Sequence, residues 1–409
     1  MIVRKIKPEE FQRVQQFCSL AFEYPYNGSH KGSMTAFREM QSHPGSRQDL
    51  FWDSQWAAFQ DDDRTMMSTF TVVPYTIHFD GHSARMAGIG GVATLPQYRR
   101  NGGVRACFES ALPDMYESGY VFSYLYPFST AFYRRFGYEL GCDRIKYELD
   151  LNGITPVPQE GHCLLLEPGY DLTAQIKQVD QTWQQRYNMM VLREDIEYRW
   201  VKKADPFASL EYTYVYVAKD GTPKGYMTYK PNKESSERTL ECSRFCFTDA
   251  EGFRGLLNLL LSLRTDHGIA SLHLPVDVDL STLLPEWSLG VIKRTLQSFG
   301  MVRVVNVEEA LRMARASGDG QLTLAITDEQ IRQNTDTFAV SYANGKVVNV
   351  QRTNEKPDIE MTIQAFSRML AGRCKIDAYP LLEDFTLHCS ADEASQLFFQ
   401  KPMYICQYF

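Results

Sequence analysis

The residues of this 409-residue chain best arranged for chemistry are Arg99, Arg100, Gly102, Gly103 and Arg105. They fall in the run Gly91-Val-Ala-Thr-Leu-Pro-Gln-Tyr-Arg-Arg-Asn-Gly-Gly-Val-Arg105. This run reads as a strand, a turn at Pro96, and a basic, glycine-rich loop that opens a helix. The paired glycines let the backbone turn tightly with no Cβ in the way. Amide N–H groups of the loop and first helical turn then converge on one spot, where exposed donors and the positive end of the helix dipole bind phosphate. The three arginines add charge that a pyrophosphate can use. No Gly-Lys-Ser/Thr follows, and the glycines are adjacent rather than spaced G-x-G-x-x-G, so neither common nucleotide loop is present. An ordinary strand–turn–helix connection with a surface basic cluster would use the same residue types.

The elements that must hold this loop alternate. Ile2 to Ile6 reads as a strand, and Phe11, Val14, Phe17, Cys18 and Phe22 recur at helical spacing. Gln55 to Gln60 and Thr65 to Tyr75 read as strands joined by the acidic turn Asp61-Asp-Asp-Arg64, and Ile77 to Phe79 pairs with Ser83 to Ala93 around Asp80-Gly81. After the loop, Val104, Cys107, Phe108, Ala111 and Met115 make one helical face, with Pro113 expected to bend or end the helix. A short helix over Phe37 to Met40, a buried strand over Val121 to Leu125, and a short helix over Ser129 to Phe136 complete this region.

Composition bounds the rest. Hydrophobic residues make up 44% and the net charge is −7, which supplies packed cores and no basic stripe for nucleic acid. The nine cysteines are scattered without a Cys-x-x-Cys pair, the pattern of reduced thiols, and no histidine spacing suggests a metal. The longest apolar run, Leu256 to Leu263, is too short to span a bilayer, and the charged N-terminus lacks a signal sequence. A cytoplasmic protein that binds neither nucleic acid nor membrane is expected.

Beyond the linker-like Pro156-Val-Pro-Gln-Glu-Gly161, residues to about 285 repeat the order strand, hairpin, strand, helix, strand. The equivalent loop, Phe247-Thr-Asp-Ala-Glu-Gly-Phe-Arg254, lacks the paired glycines and the arginine cluster. From about Val291 a strand–helix start gives way to a meander. Met403 to Phe409 reads as a last strand.

The first loop, as Arg99-x-x-Gly102-x-Val104, resembles the pyrophosphate loop of the GNAT N-acetyltransferases, with Val104 in place of the usual small residue. Three features are similar to the Eis (enhanced intracellular survival) acetyltransferases: Val92-Ala-Thr-Leu-Pro-Gln-Tyr-Arg-Arg-Asn-Gly102, Phe132-Tyr-Arg-Arg-Phe-Gly-Tyr138, and the terminal Phe409. The resemblance implies an α/β (α+β) fold of tandem GNAT domains with mixed central sheets and a C-terminal sterol-carrier-protein-like domain. The expected boundaries are 1–150, 151–288 and 289–409. It implies acetyl-coenzyme A as cosubstrate. Val92, Ala93 and Thr94 would meet its pantetheine arm, and Arg99, Arg100, Gly102, Gly103 and Val104 its pyrophosphate. Tyr133 would be the general acid and the Phe409 carboxylate the base. Glu23, Tyr24, Phe128 and Tyr408 are the substrate-side candidates. A homo-oligomer, hexameric as a trimer of dimers or trimeric, is also implied.

The chemistry is consistent with these groups. Direct acyl transfer needs a proton acceptor for the amine, donors at the carbonyl oxygen and a proton for the leaving thiolate. A terminal carboxylate is ionised at neutral pH. The expected reaction is acetylation of primary amines on small polycationic, aminoglycoside-like compounds, although Tyr408 stands where aminoglycoside-modifying relatives carry an acid. Protein-lysine acetylation, and a lipid-binding protein with a vestigial transferase, are the alternatives.

Overall fold

The computed structural model describes residues 1–26, 54–202, 205–232, 238–284, 290–376 and 383–409. The short helix expected over 37–40 lies outside them. The chain forms two compact units, one from residues 1–142, 300–401 and 407–409, the other from 143–299 and 402–406.

In the first unit, β1 (Ile2–Lys5), β2 (Gln55–Phe59), β3 (Met66–Phe79) and β4 (His82–Thr94) pair antiparallel in sequence order. Helix α1 (Phe11–Ala21) buries Phe11, Val14 and Phe17. Helix α2 (Gly103–Glu117) carries the chain across to β5 (Phe122–Leu125), which pairs parallel to β4. Its buried face is Cys107, Phe108, Ala111, Leu112 and Met115, and Phe108 stacks on Phe70 at 4.7 Å and Phe136 at 4.4 Å. The helix runs through Pro113 to Glu117, one turn further. Burial of its apolar face outweighs the one hydrogen bond that proline removes. A short helix, α3 (Thr130–Arg134), then leads into β6 (Glu139–Asp150).

The second unit copies this order. β7 (His162–Leu165) precedes helix α4 (Thr173–Arg186), and β8 (Tyr212–Val217), β9 (Pro223–Pro231) and β10 (Thr239–Phe247) pair antiparallel. Helix α5 (Ala250–Ser262) crosses to β11 (Ile269–Pro275), parallel to β10. Residues 144–150 of β6 close this sheet against β11. In the first unit the matching place beside β5 goes to Met301–Val304 of β12 (Ile292–Val304).

The remainder of the first unit has helix α6 (Val307–Met313) and a sheet of β13 (Gly320–Thr327), β14 (Asp336–Ala343), β15 (Lys346–Arg352), β16 (Ile359–Thr362) and β17 (Phe385–Leu387). Helix α7 (Ile363–Ala371) ends on Gly372 in the left-handed region, φ 103°. A buried ion pair ties this part to the β3–β4 turn: Lys401 Nζ lies 2.5 Å from Asp80, which also accepts from the Arg315 amide at 2.9 Å. Residues 403–409 form no strand. Met403 makes one bridge to Asn188, Tyr404 donates its hydroxyl to the His273 carbonyl at 3.1 Å, and the Gln407 carbonyl accepts from the Tyr126 hydroxyl.

The fold is the expected mixed α/β one with tandem repeats and a separate α+β sheet. Among the described residues no helix is long and apolar enough to cross a membrane.

Candidate functional site

The basic loop folds as the spacing predicts. Gly102 is the N-cap of α2, with φ 80° and no side-chain cap. A Cβ on Gly102 would meet nothing within 4 Å, so glycine is there for its backbone angle. Gly103 differs from expectation. Its missing Cβ makes room for the Ser68 side chain of β3 and lets the helix approach the sheet, rather than clearing space for phosphate. Arg100 also has a positive φ, 70°. Arg99, Arg100 and Arg105 are exposed, and none forms an ion pair among the described residues. Arg134, by contrast, is spent on Glu139 through two 2.8 Å hydrogen bonds. Open amides, unpaired arginines and a bare glycine cap fit a pyrophosphate.

Strand β4 passes beside this loop and is irregular where the resemblance places the thioester arm. Its register against β3 slips between Thr69↔Ala93 and Thr71↔Gly90, so β4 carries one extra residue at Gly91–Val92, with Gly91 at φ 60°. Such a bulge re-aims backbone groups. Parallel pairing to β5 stops at Ile89↔Leu125, which leaves Gly90–Thr94 without a β5 partner. Val92 and Thr94 are half-buried and Ala93 is buried in the α1 cluster. The Thr94 hydroxyl shares a 2.9 Å hydrogen bond with Ser68.

Phe409 reaches the same strand. Alternation puts Ala87 and Ile89 against α2, and Gly88 and Gly90 on the opposite face. There a Cβ on Gly88 would come within 2.9 Å of the Phe409 ring, and one on Gly90 within 3.0 Å of the Phe409 carboxyl carbon. The ring also packs on Tyr75 at 5.1 Å and Tyr126 at 5.2 Å. Tyr126 follows β5 directly and donates its hydroxyl to the Gln407 carbonyl. Tyr408 is 78% exposed and stacks on Tyr126 at 4.6 Å. Sequence reasoning passed over Gly88, Gly90, Tyr75 and Tyr126. The available signal was Gly88-Ile-Gly-Gly91 inside a strand, where glycines mark close approach of another chain segment.

Tyr133 is 2% exposed, edge-on to Phe108 at 6.0 Å, Phe128 at 5.3 Å and Phe132 at 5.1 Å. Tyr133 thus lies in the same core cluster as Phe136, with Phe132 packed against it. The helix α3 ends at Arg134, before a full i, i+4 face can form, and Phe132 is only half-buried. Burial pushes the Tyr133 phenol above the ordinary tyrosine range, with Tyr138 adding to the shift, so it keeps its proton at neutral pH. No hydrogen bond of its hydroxyl is found among the described residues. Phe128 is 72% exposed, Tyr24 is exposed, and Glu23 is exposed at φ 56°. No hydrogen bond, ion pair or ring contact joins these three to Phe409 among the described residues, and Phe128 packs instead on Phe132 and Tyr133.

The nine cysteines are free, and burial raises the thiol pKa of Cys18 and Cys163 to about 11 and of Cys107 to about 12. These are poor nucleophiles at neutral pH. No cluster of His, Cys, Asp and Glu suited to a metal occurs among the described residues.

Comparison with known proteins identifies the domains that carry these residues. Residues 2–141 and residues 189–304 each match an acetyltransferase (GNAT) domain, and residues 307–407 match the sterol carrier protein domain. No curated protein sequence matches the chain. Among solved structures, a probable N-acyltransferase from Enterococcus faecalis superposes with a TM-score of 0.84 at 19% identity, over 100% of this chain and 99% of that one. A GCN5-related N-acetyltransferase from Anabaena variabilis gives 0.83 at 18%, covering 100% of both chains. Eis1 from Mycobacterium abscessus gives 0.75 at 19%, again covering 100% of both. At these identities the likeness is one of fold.

Proposed function

We propose, for a chain that carries two acetyltransferase (GNAT) domains and a sterol carrier protein domain and so belongs with the acetyl-coenzyme A-dependent acetyltransferases, that the first domain acetylates primary amines of a small polycationic compound by direct transfer. Acetyl-coenzyme A supplies the activated thioester. Arg99, Arg100 and the amides from Gly102 to Val104 hold its pyrophosphate. The backbone of Val92, Ala93 and Thr94, re-aimed by the bulge, meets the pantetheine arm. The Phe409 carboxylate attracts the ammonium form of the acceptor and takes its proton. Tyr75, Tyr126 and Tyr408 offer ring faces to a cation. Tyr133 gives its proton to the leaving thiolate, a transfer helped when the same dry surroundings raise the thiol's proton affinity too. Glu23, Tyr24 and Phe128 contact the acceptor body. The protein works in the cytoplasm as a closed homo-oligomer, hexameric or trimeric.

One observation carries this reading: the carboxyl end of Phe409 lies against Gly90, one residue from the bulge that would carry the thioester arm. The test is thiol release from acetyl-coenzyme A with spermidine, kanamycin and a lysine peptide as acceptors. Deleting Phe409 is expected to lower kcat by roughly 10²-fold while coenzyme A binding persists, the usual range for loss of a general base. Undiminished turnover after the deletion removes Phe409 from the reaction. The match to a sterol carrier domain favours one second reading, a lipid-binding protein. A thermal shift with fatty acids and none with coenzyme A would select it.

A further inference from the structure

Helix α3 has five residues, too few to be stable alone; its Arg134 carbonyl takes a turn-closing bond from the Gly137 amide at 3.0 Å, and the Arg135 carbonyl lies just past its end. Those carbonyls are met from outside the acetyltransferase domain. Gln364, at the start of α7, donates to the Arg134 carbonyl at 2.9 Å, and Gln330, between β13 and β14, donates to the Arg135 carbonyl at 3.2 Å. Both glutamines belong to the region that matches the sterol carrier domain.

The hold continues along the next six residues. Gly137 takes φ 82°, and a Cβ there would collide with the guanidinium of Arg303 and come 2.9 Å from the Ile363 side chain. Arg303 is buried, and its Nη2 is held by both oxygens of Asp328 at 2.9 and 2.7 Å. Asn334 and the amides of Gln330 and Ile331 also donate to that carboxylate. Arg373 donates to the Gly141 carbonyl at 3.2 Å. The backbone from Arg134 to Gly141 therefore rests on Arg303 of β12 and on groups from α7, the residues after it and the β13–β14 loop.

We infer that Gln330 and Gln364 are positioning residues, through which the sterol-carrier-like domain fixes where the Tyr133 hydroxyl points during acetyl transfer. This rests on the role given above to Tyr133. The Tyr133 ring is walled by Phe108, Phe128 and Phe132, while its backbone carbonyl accepts from Phe136 at 2.9 Å and from Tyr138 at 3.4 Å. Movement of 134–138 thus moves the tyrosine itself. In this domain the two glutamines do work that a longer helix would otherwise do for itself.

The test uses the full chain, with turnover read as thiol release using the best acceptor of the panel above. The Gln330→Ala/Gln364→Ala variant is expected to lose roughly tenfold in kcat, less than the ~10² that a full ångström of misplacement costs. Its coenzyme A affinity and its KM for acetyl-coenzyme A should stay unchanged. The decisive measurement repeats the substitutions in a Tyr133→Phe background, where they should cost nothing more, because they act through the hydroxyl already removed. Gln364→Arg keeps a donor for the Arg134 carbonyl and should retain most of the rate. If Tyr133→Phe is impaired but the glutamine variant is not, or if the two losses multiply, the positioning role is overturned. If Tyr133→Phe is fully active, or the unaltered protein releases no thiol, the reading of the first site fails and takes this one with it.

Discussion

The two acetyltransferase units present the same helix end to opposite purposes. In the first, α2 opens on Gly102 with no side-chain cap, and Arg99, Arg100 and Arg105 stand around it without carboxylate partners among the described residues. In the second, α5 opens on Asp249, whose side chain accepts from the Gly252 amide at 2.9 Å. Asp249 and Glu251 both pair with Lys224, at 2.9 and 2.7 Å. A carboxylate of the chain itself already occupies the place where a phosphate would bind, and the first turn is acidic. The same topology thus leaves a helix end able to receive an anion only where the sequence leaves it bare.

The largest effect that tests this contrast is a charge reversal. Arg99→Glu with Arg100→Glu should weaken coenzyme A binding by about 10²-fold or more, since each charge-assisted hydrogen bond contributes about 1.5–3 kcal/mol. Lys224→Glu should leave the affinity where it was. Calorimetry would show both, and a stoichiometry of two coenzyme A per chain would break the comparison outright.

Glycine substitutions sharpen it. A Cβ on Gly252 would run into the Lys224 main-chain carbonyl, whereas one on Gly103 meets the Ser68 hydroxyl, which can turn away, and the Ser68 and Ala58 Cβ atoms at 3.0 and 3.5 Å. Gly252→Ala should therefore destabilise the second unit by about 1–3 kcal/mol, the usual cost of overpacking, and Gly103→Ala should cost the first unit less. Urea unfolding of the two variants decides the order. Gly252→Ala should not change coenzyme A affinity.

Removing the cap is a smaller change. Asp249→Ala should lower the stability of the second unit by about 1 kcal/mol through loss of the N-cap. A gain of coenzyme A binding there would mean that the carboxylate alone keeps the second site closed.

The smallest effect is a pH response confined to the second unit. Burial, with Arg144 and Lys146 nearby, pushes His273 down to about 4. An unfolded histidine, with a pKa of about 6.5, binds a proton in the window between those values that the folded one does not. The stability contribution is therefore full above the unfolded pKa and is lost as pH falls through that window. His273→Gln should flatten the fall in urea midpoint between pH 7 and 5. An unchanged slope would show that His273 is not its source.

Much of this contrast was legible in the sequence. Gly102-Gly103 beside three arginines, against Asp249-Ala-Glu251, already told an open helix end from a closed one, because caps and loop charges are local properties. The order of strands and helices was legible for the same reason. The placement of β12 beside β5, and of β6 beside β11, was not, because pairing across more than a hundred residues leaves no local trace. The burial of Tyr133 was not legible for a related reason: the face it shows depends on α3 stopping after five residues. The tail was apolar enough to read as a strand, but Phe409 lies on the sheet face over Gly88 and Gly90, not along an edge.

The discontinuous make-up of the first unit sets a timetable for synthesis. Residues 143–299 form their unit almost without interruption, so it can close while the remainder is still being made. The first unit must wait for both Met301–Val304 and residues 407–409. At about 5–20 residues per second, that is a delay of roughly 15–50 s after residue 142 appears. During it, Phe122–Leu125 has no partner on one side, an open apolar edge of the kind that invites mispairing. A nascent chain should therefore need protection from aggregation longest at its earliest-made domain, whose unit is completed only when residues 407–409 emerge.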